Sequence, residues 1–300
     1  MMTVHTLTLP LPAQYRVADV LAFHGRDAEA LAEQVSENCV RKAVLLNGVP
    51  VLFSLRFTQE EVSCRIEADG EPGAGGSALA QEALRNTLAL RIDPAPFSNF
   101  VRDDAVFGPL VQRLPDLRIV QSATVFEALT WAIIGQQINL PFAISLRRTF
   151  IEQAGRAHSS GLWCYPEADD VARLDIEALT SRKFSRAKAE TLLRVARLVA
   201  DGDLVLRQDD DPEHAATALL AIKGIGPWTV NYTLLRGYGY ADCSLHGDVA
   251  VRSAIGRLTG VAAKPDIAQA QAWLEAYRPH RTMAAAYLWA SLNQTAGQAG

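Results

Sequence analysis

The chain has 300 residues, 49% apolar and 21% charged, with a formal net charge of −4. That length buries a substantial core, and no apolar run is long enough for a transmembrane helix. The acidic balance gives no overall basic field, so any phosphate contact has to come from a locally basic face or from backbone N–H groups.

Cys39, Cys64, Cys164 and Cys243 lie far apart with no C-x-x-C pair. This argues against zinc, an iron–sulfur cluster or a disulfide framework. The first residues lack the pattern of a signal peptide, which leads us to expect a cytoplasmic protein.

In chain order, 43–46, 50–57 and 62–67 are apolar or alternating runs broken by Asn47-Gly48 and polar residues. They read as antiparallel strands with tight turns. Residues 69–77, rich in Gly and Ala, read as a loop, and 78–90 has helical spacing. From Pro96 onward strand signals fade. Helices are expected over 126–135, 140–153, 176–181, 185–200, 212–222, 228–237, 249–257, 267–276 and 282–293. Ser185, Asp211-Pro212 and the Thr124/Glu127 spacing are helix-start signals. Gln208 to Asp211 is an acidic loop.

The segment 219–237, LLAIKGIGPWTVNYTLLRG, is the most informative. In Lys223-Gly224-Ile225-Gly226-Pro227, two glycines flank one aliphatic residue. Gly224 and Gly226 supply backbone freedom, Ile225 plugs the junction between two helices, and Pro227 suits a first helical position. The N–H groups of Gly224, Gly226 and Trp228 then face outward at a helix start and suit one DNA phosphate. The same pattern also serves as a plain helix–turn–helix connection. Downstream, Ser244-Leu245-His246-Gly247-Asp248 is a loop ending in an Asp before a helix, where Asp reads equally as an N-cap.

Hairpin and Asp together, about 22 residues apart, resemble the helix–hairpin–helix DNA glycosylase superfamily, and within it the DNA-3-methyladenine glycosylase II family. Phe126-Glu127-Ala128-Leu129 through Gly135-Gln136-Gln137 is similar to the family's helix leading to its DNA-intercalating loop. Arg186 to Glu190, Trp228 to Tyr232, and Tyr277-Arg278-Pro279 to Trp289 fit as well. The resemblance implies a mainly α fold of two helical domains plus an N-terminal α+β domain with an antiparallel sheet. The expected boundaries are 1–97 for the α+β domain, 98–122 with 241–300 for one helical domain, and 123–240 for the central helical domain carrying the hairpin.

It also implies chemistry. Cleaving a purine N-glycosidic bond builds positive charge on the sugar, which a carboxylate stabilises. Asp248 takes that role by family position. Asp242 does not match it, and His246 reads as a loop hydrogen bond. Trp228 and Tyr232, four apart on one helix face, would line the base pocket with Trp289 and Phe23, where aromatic faces attract a cationic alkylated base. Each of these four also reads as a core aromatic. Lyase-type relatives carry a Lys at the place of Trp228, so a monofunctional glycosylase without strand cleavage is expected. Gln137 would fill the gap left by the flipped base, and Gly224, Ile225 and Gly226 would hold DNA. A monovalent cation on the backbone carbonyls of Leu220, Ile222 and Ile225 is part of the resemblance; no side-chain metal ligand and no organic cofactor is implied. Arg182-Lys183 and Arg186-Lys188 read as backbone contacts or as a solvated helix face.

The expected partner is double-stranded DNA with alkylated bases, bound by a monomer. Two other readings stay open. One is a glycosylase for oxidised, deaminated or mismatched bases. The other is a non-catalytic helix–hairpin–helix DNA-binding protein, or a glycosylase that has lost its activity.

Overall fold

The computed structural model describes residues 3–261 and 263–296. Met1, Met2 and the last four residues of the expected 241–300 segment lie outside the described residues.

Five strands form one antiparallel sheet: β1 (Thr3–Pro10), β2 (Glu33–Ser36), β3 (Cys39–Leu46), β4 (Val49–Phe57) and β5 (Glu61–Ala68), in the order β1-β5-β4-β3-β2. Asn47 and Gly48 both adopt positive φ, 51° and 76°, matching the tight hairpin turn that Asn-Gly favours. Alternation along β4 decides which face each residue serves. Val51, Phe53, Leu55 and Phe57 pack under helices α1 (Val17–His24) and α2 (Gly76–Thr87), while Leu52 packs on the other face with Leu162 and Cys164. Expected strands 43–46, 50–57 and 62–67 are the cores of β3, β4 and β5. The structure adds β1, β2 and α1.

The rest is helical: α3 (Ala95–Phe100), α4 (Phe107–Arg113), α5 (Val125–Gly135), α6 (Leu140–Ala154), α7 (Ala168–Ala172), α8 (Glu177–Thr180), α9 (Arg186–Ala200), α10 (Pro212–Leu220), α11 (Pro227–Thr233), α12 (Val249–Leu258), α13 (Ile267–Glu275) and α14 (Arg281–Ala296). A two-stranded ribbon, β6 (Arg156–Ala157) with β7 (Trp163–Cys164), follows α6. Side chains of Thr124, Asn139, Ser185, Asp211, Asp248 and Asp266 accept backbone N–H groups at helix starts. Each satisfies donors that an uncapped start leaves orphaned. Helix α5 is buried on all sides from Val125 to Ile134, as its apolar composition requires, and is the axle of a mainly helical core running from Ile92 to Leu288, joined by Ala32.

One expected helix differs. The segment 228–237 is α-helical only to Thr233, then continues as a π turn, Leu234–Tyr238. Gly237 sits there because a Cβ would lie 3.1 Å from the Ala128 Cβ of α5, and the wider turn carries Arg236.

Sheet and helices meet at a buried ionic cluster. Lys42 on β3 donates to Glu33 Oε1 at 2.6 Å and Glu127 Oε1 at 3.2 Å, and Arg147 on α6 donates to Glu127 at 3.0 Å. Against burial, which alone would raise it, Arg147, Lys42 and His24 hold Glu33 well below the ordinary carboxylate range. Burial likewise opposes, and Lys42 and Arg147 outweigh it for, a lowered Glu127.

Candidate active site

The glycine hairpin joins α10 to α11. Gly224 has φ +98°, and a Cβ there would fall 2.2 Å from Thr191 Oγ1 of α9, so only glycine fits. Gly226 differs from the sequence expectation. Its φ is −110°, and nothing lies within 4 Å of a Cβ built on it. Open space outside the chain, not backbone freedom, is what a small residue secures there. Ile225 is buried between the helices. Its N–H is spent on the Ile222 carbonyl at 3.0 Å, whereas no acceptor among the described residues takes the N–H of Gly224 or Gly226. The hairpin thus offers outward donors.

Gln136 and Gln137 follow α5. Gln137 is exposed at the tip with φ +58°, a left-handed conformation that non-glycine residues rarely hold without support. The support is on either side. Gln136 Nε2 donates to the Gly224 carbonyl at 3.1 Å and to Thr229 Oγ1 at 2.9 Å. Lys188 Nζ donates to the carbonyls of Ile134 and Gln136. Lys188 is therefore a buried prop and not part of a basic surface, whereas Arg182, Lys183 and Arg186 are exposed. Leu140 and Phe142, apolar and exposed, sit just beyond the tip at the start of α6.

Asp248 begins α12. Its Oδ1 accepts the Val251 N–H at 3.0 Å and the Trp289 indole N–H at 3.3 Å; its Oδ2 accepts the Trp228 indole N–H at 3.1 Å. The cap and a partly exposed carboxylate clasped by two indoles are the same residue, so the two sequence readings are not exclusive. Asp242 instead binds Arg281 through both oxygens, at 2.7 and 2.9 Å, with Arg278 at 3.3 Å. His246 Nδ1 lies 2.9 Å from Ser244 Oγ, and burial pushes its imidazole below the ordinary histidine value.

The expected aromatics converge. Trp228 and Tyr232 rings are 5.2 Å apart and Tyr232 and Trp289 6.3 Å apart. Phe23 reaches the group through a guanidinium: Arg236 Cζ lies 4.9 Å from the Phe23 ring, 5.6 Å from Trp289 and 5.9 Å from Tyr232. Sequence reasoning missed Arg236, which the π turn aims inward. It also missed Trp131, whose indole N–H donates to Tyr232 Oη at 3.1 Å, and Arg26, stacked on Phe23 and Trp131. Trp131 was hidden in a helix apolar on every face. The two arginines carry no periodic or motif signal. No group of three or more His, Cys, Asp or Glu among the described residues could hold a metal, and no described helix is long and apolar enough to cross a membrane.

The chain is similar to known proteins in sequence and in fold. The sequence pattern of the HhH-GPD superfamily base excision DNA repair protein matches residues 130–279. A "DNA-3-methyladenine glycosylase" of Bacillus subtilis is 31% identical over 290 residues, covering 94% of this chain and 96% of that one. Among solved structures, a 3-methyladenine DNA-glycosylase from Archaeoglobus fulgidus superposes with a TM-score of 0.80 at 22% identity, over 94% of this chain and 97% of its own. The Clostridium acetobutylicum 8-oxoguanine glycosylase/lyase bound to double-stranded DNA superposes with a TM-score of 0.74 at 15% identity, over 98% of each chain. Structural likeness at such identities speaks for the fold. Sequence likeness across nearly the whole chain, together with the family pattern over the hairpin and the Asp248 helix, establishes that the chain belongs to the HhH-GPD superfamily of base excision DNA repair proteins, in its DNA-3-methyladenine glycosylase branch.

Proposed function

We propose that the protein is a monofunctional glycosylase that flips an alkylated purine from duplex DNA and hydrolyses its N-glycosidic bond, with Asp248 as the catalytic carboxylate. The observation that carries this reading is the Asp248 carboxylate, oriented by three N–H donors beside the aromatic box. Such a group is already organised before charge develops on the sugar, which is where electrostatic catalysis acts. Trp228, Tyr232, Trp289 and Phe23 form the walls that receive the base. The Gly224–Gly226 turn holds a backbone phosphate through its free N–H groups, with Ile225 as its plug and a monovalent cation on the carbonyls of Leu220, Ile222 and Ile225. Of those carbonyls, Ile222 already accepts one N–H within the turn, leaving its second lone pair for the ion. Gln137 enters the space the base vacates.

Trp228 stands where a Schiff-base lysine would be needed, so the product is an intact strand with an abasic site. The protein acts as a cytoplasmic monomer, with the α+β unit at 1–97, one helical unit at 98–122 plus 241–300, and the central unit at 123–240. The test is incubation with methylated duplex DNA, scoring free base and strand breaks separately. Release of 3-methyladenine without nicking supports the reading. Strand cleavage by the pure protein removes the monofunctional part, and absence of release leaves the DNA-binding alternative.

A further inference from the structure

The aromatic box has two unlike ends. At one end the Trp228 and Trp289 indole N–H groups both point at the Asp248 carboxylate. At the other, beyond Tyr232, the π turn carries Arg236, whose Cζ lies 4.9 Å from the Phe23 ring, 5.6 Å from Trp289 and 5.9 Å from Tyr232. Trp289 touches both ends: its N–H meets the acid and its ring meets the guanidinium. The charge at the Arg236 end is not cancelled. Its Nη1 donates to the Val120 carbonyl, its Nε is buried without an acceptor, and no carboxylate among the described residues forms an ion pair with it. Behind it, Arg26 lies on the Phe23 and Trp131 rings. Burial pushes the Arg26 guanidinium below the ordinary arginine value, while the Glu33 charge pulls the other way. Glu33 and Glu127 are thus shared among three cations, Arg26, Arg147 and Lys42. Three cations against two carboxylates leave one positive charge over, which adds to that of Arg236.

We propose that Arg236 is the positive pole of the site, opposite Asp248, and speeds release by drawing the electrons of the breaking bond into the base; this rests on the glycosylase reading above. When the C1′–N bond breaks, its electron pair stays with the base. The sugar is left as a cation, which water captures at C1′ with loss of a proton to solvent. An alkylated base that starts with a positive charge leaves neutral; a neutral base leaves as an anion and takes up a proton. In both cases one unit of positive charge moves from base to sugar, toward Asp248 and away from Arg236. The guanidinium makes positive charge on the base less favourable, and the carboxylate makes positive charge on the sugar more favourable. Both charges are fixed in place before the reaction begins, so neither has to be reorganised in the transition state. The aromatic faces still receive a cationic base, so holding the base and releasing it fall to different parts of the box. The field has the same sign for every purine and acts on the step from bound base to transition state, where binding that improves along the reaction becomes rate. Tying the π turn to Val120 needs only one donor and no charge.

The experiment measures single-turnover release of 3-methyladenine from methylated duplex DNA over a range of enzyme concentrations, with thermal melting recorded alongside. It compares the full chain with Arg236→Gln, which removes the charge and keeps an NH2 group for the Val120 carbonyl, and with Arg236→Lys, which restores the charge. Trp228, beside the acid, lies eight residues before Arg236, or ~12 Å along a helix axis. One charge at that range, at the effective dielectric of a protein interior, is worth about tenfold in rate. The maximal rate of Arg236→Gln should fall by about that factor, while its half-saturating concentration does not rise. Arg236→Lys should come back to within about threefold of wild type. Arg236→Met is the neutral variant if the glutamine variant does not fold. A lysine variant as slow as the neutral one would make Arg236 a structural tie and overturn the proposal. So would a neutral variant within about twofold of the wild-type rate, or a loss of affinity as large as the loss of rate. Any of these outcomes with an active wild-type protein removes only the Arg236 assignment. If the wild-type protein releases no base, the glycosylase reading falls and takes the assignment with it.

Discussion

The Trp228 indole N–H points at Asp248 Oδ2 from 3.1 Å, while the other carboxylate oxygen caps α12 through the Val251 N–H at 3.0 Å. One residue therefore holds a helix end and aims a negative charge, and its two oxygens divide the work. In Asp248→Asn the amide oxygen can keep the cap, but the NH2 group then faces the Trp228 N–H. We expect base release to fall by roughly 10² to 10³, the usual loss for one preorganised electrostatic partner, with abasic-DNA affinity within a few-fold and a changed tryptophan fluorescence. Single-turnover release checks this, and activity near wild type would reduce Asp248 to a cap. Trp228→Phe keeps an aromatic face but loses the N–H donor and one ring of the indole, and leaves the Asp248 charge in place, so its loss should be smaller, about tenfold to a hundredfold.

Two hairpin glycines should behave oppositely. Gly224→Ala places a Cβ 2.2 Å from Thr191 Oγ1 in a left-handed conformation, so it should lower the melting temperature and disturb the hairpin itself. A Cβ at position 226 has no protein atom within 4 Å, so Gly226→Val should melt near wild type, yet lose affinity for an abasic duplex because the new branches occupy the place proposed for the phosphate. Calorimetry and fluorescence anisotropy separate the two. Wild-type affinity in Gly226→Val would count against the clamp.

Much of this site was readable in advance, for a physical reason. The hairpin, the capping Asp and the Trp228/Tyr232 pair are local patterns whose geometry depends on neighbours three or four residues away. Phe23 is legible only through resemblance, and Arg26 and Arg236 not at all, because the contacts that join Arg26 to Trp131 and Phe23 to Arg236 each span more than 100 residues. Strand β1 shows the same limit. Leu7 and Leu9 alternate among threonines, but β1 pairs with β5 some 60 residues later, Leu7 opposite Cys64, and its mostly exposed pattern gives it little apolar signal. The π turn depends on Gly237 meeting α5, a contact no periodicity reports.

Gln137→Ala should leave stability unchanged, since the side chain is exposed at a loop tip, and should weaken base extrusion. A fluorescent base analogue beside the lesion reads this directly. Equal fluorescence gain on binding for wild type and variant would take Gln137 out of the stack.

The ionic seam makes a stability prediction. Glu127→Gln leaves Lys42 and Arg147 with one carboxylate fewer, and removing one partner of a buried pair costs about 3–5 kcal/mol. Urea denaturation measures it. Glu33 and Glu127 both sit below the ordinary value of 4.5 in the folded chain. The unfolded chain therefore takes up protons first on acidification. Their stabilisation is complete above about pH 4.5 and drains away as pH falls through the lower folded values. In Glu127→Gln the acid limb of the stability profile should be shallower; an unchanged limb would show that other carboxylates set it.

Gln136 ties the tip of one loop to the turn of another, through the Gly224 carbonyl and the Thr229 hydroxyl. If Gln137 is the probe and the hairpin the grip, as proposed, the two are a single lever: pressing Gln137 toward a base pair would load the hairpin, and a phosphate seated on the hairpin would steady the probe. A protein travelling along undamaged DNA would test each step and hold its track with the same rigid piece, so search speed and strength of interrogation cannot be tuned independently without breaking that amide's two bonds.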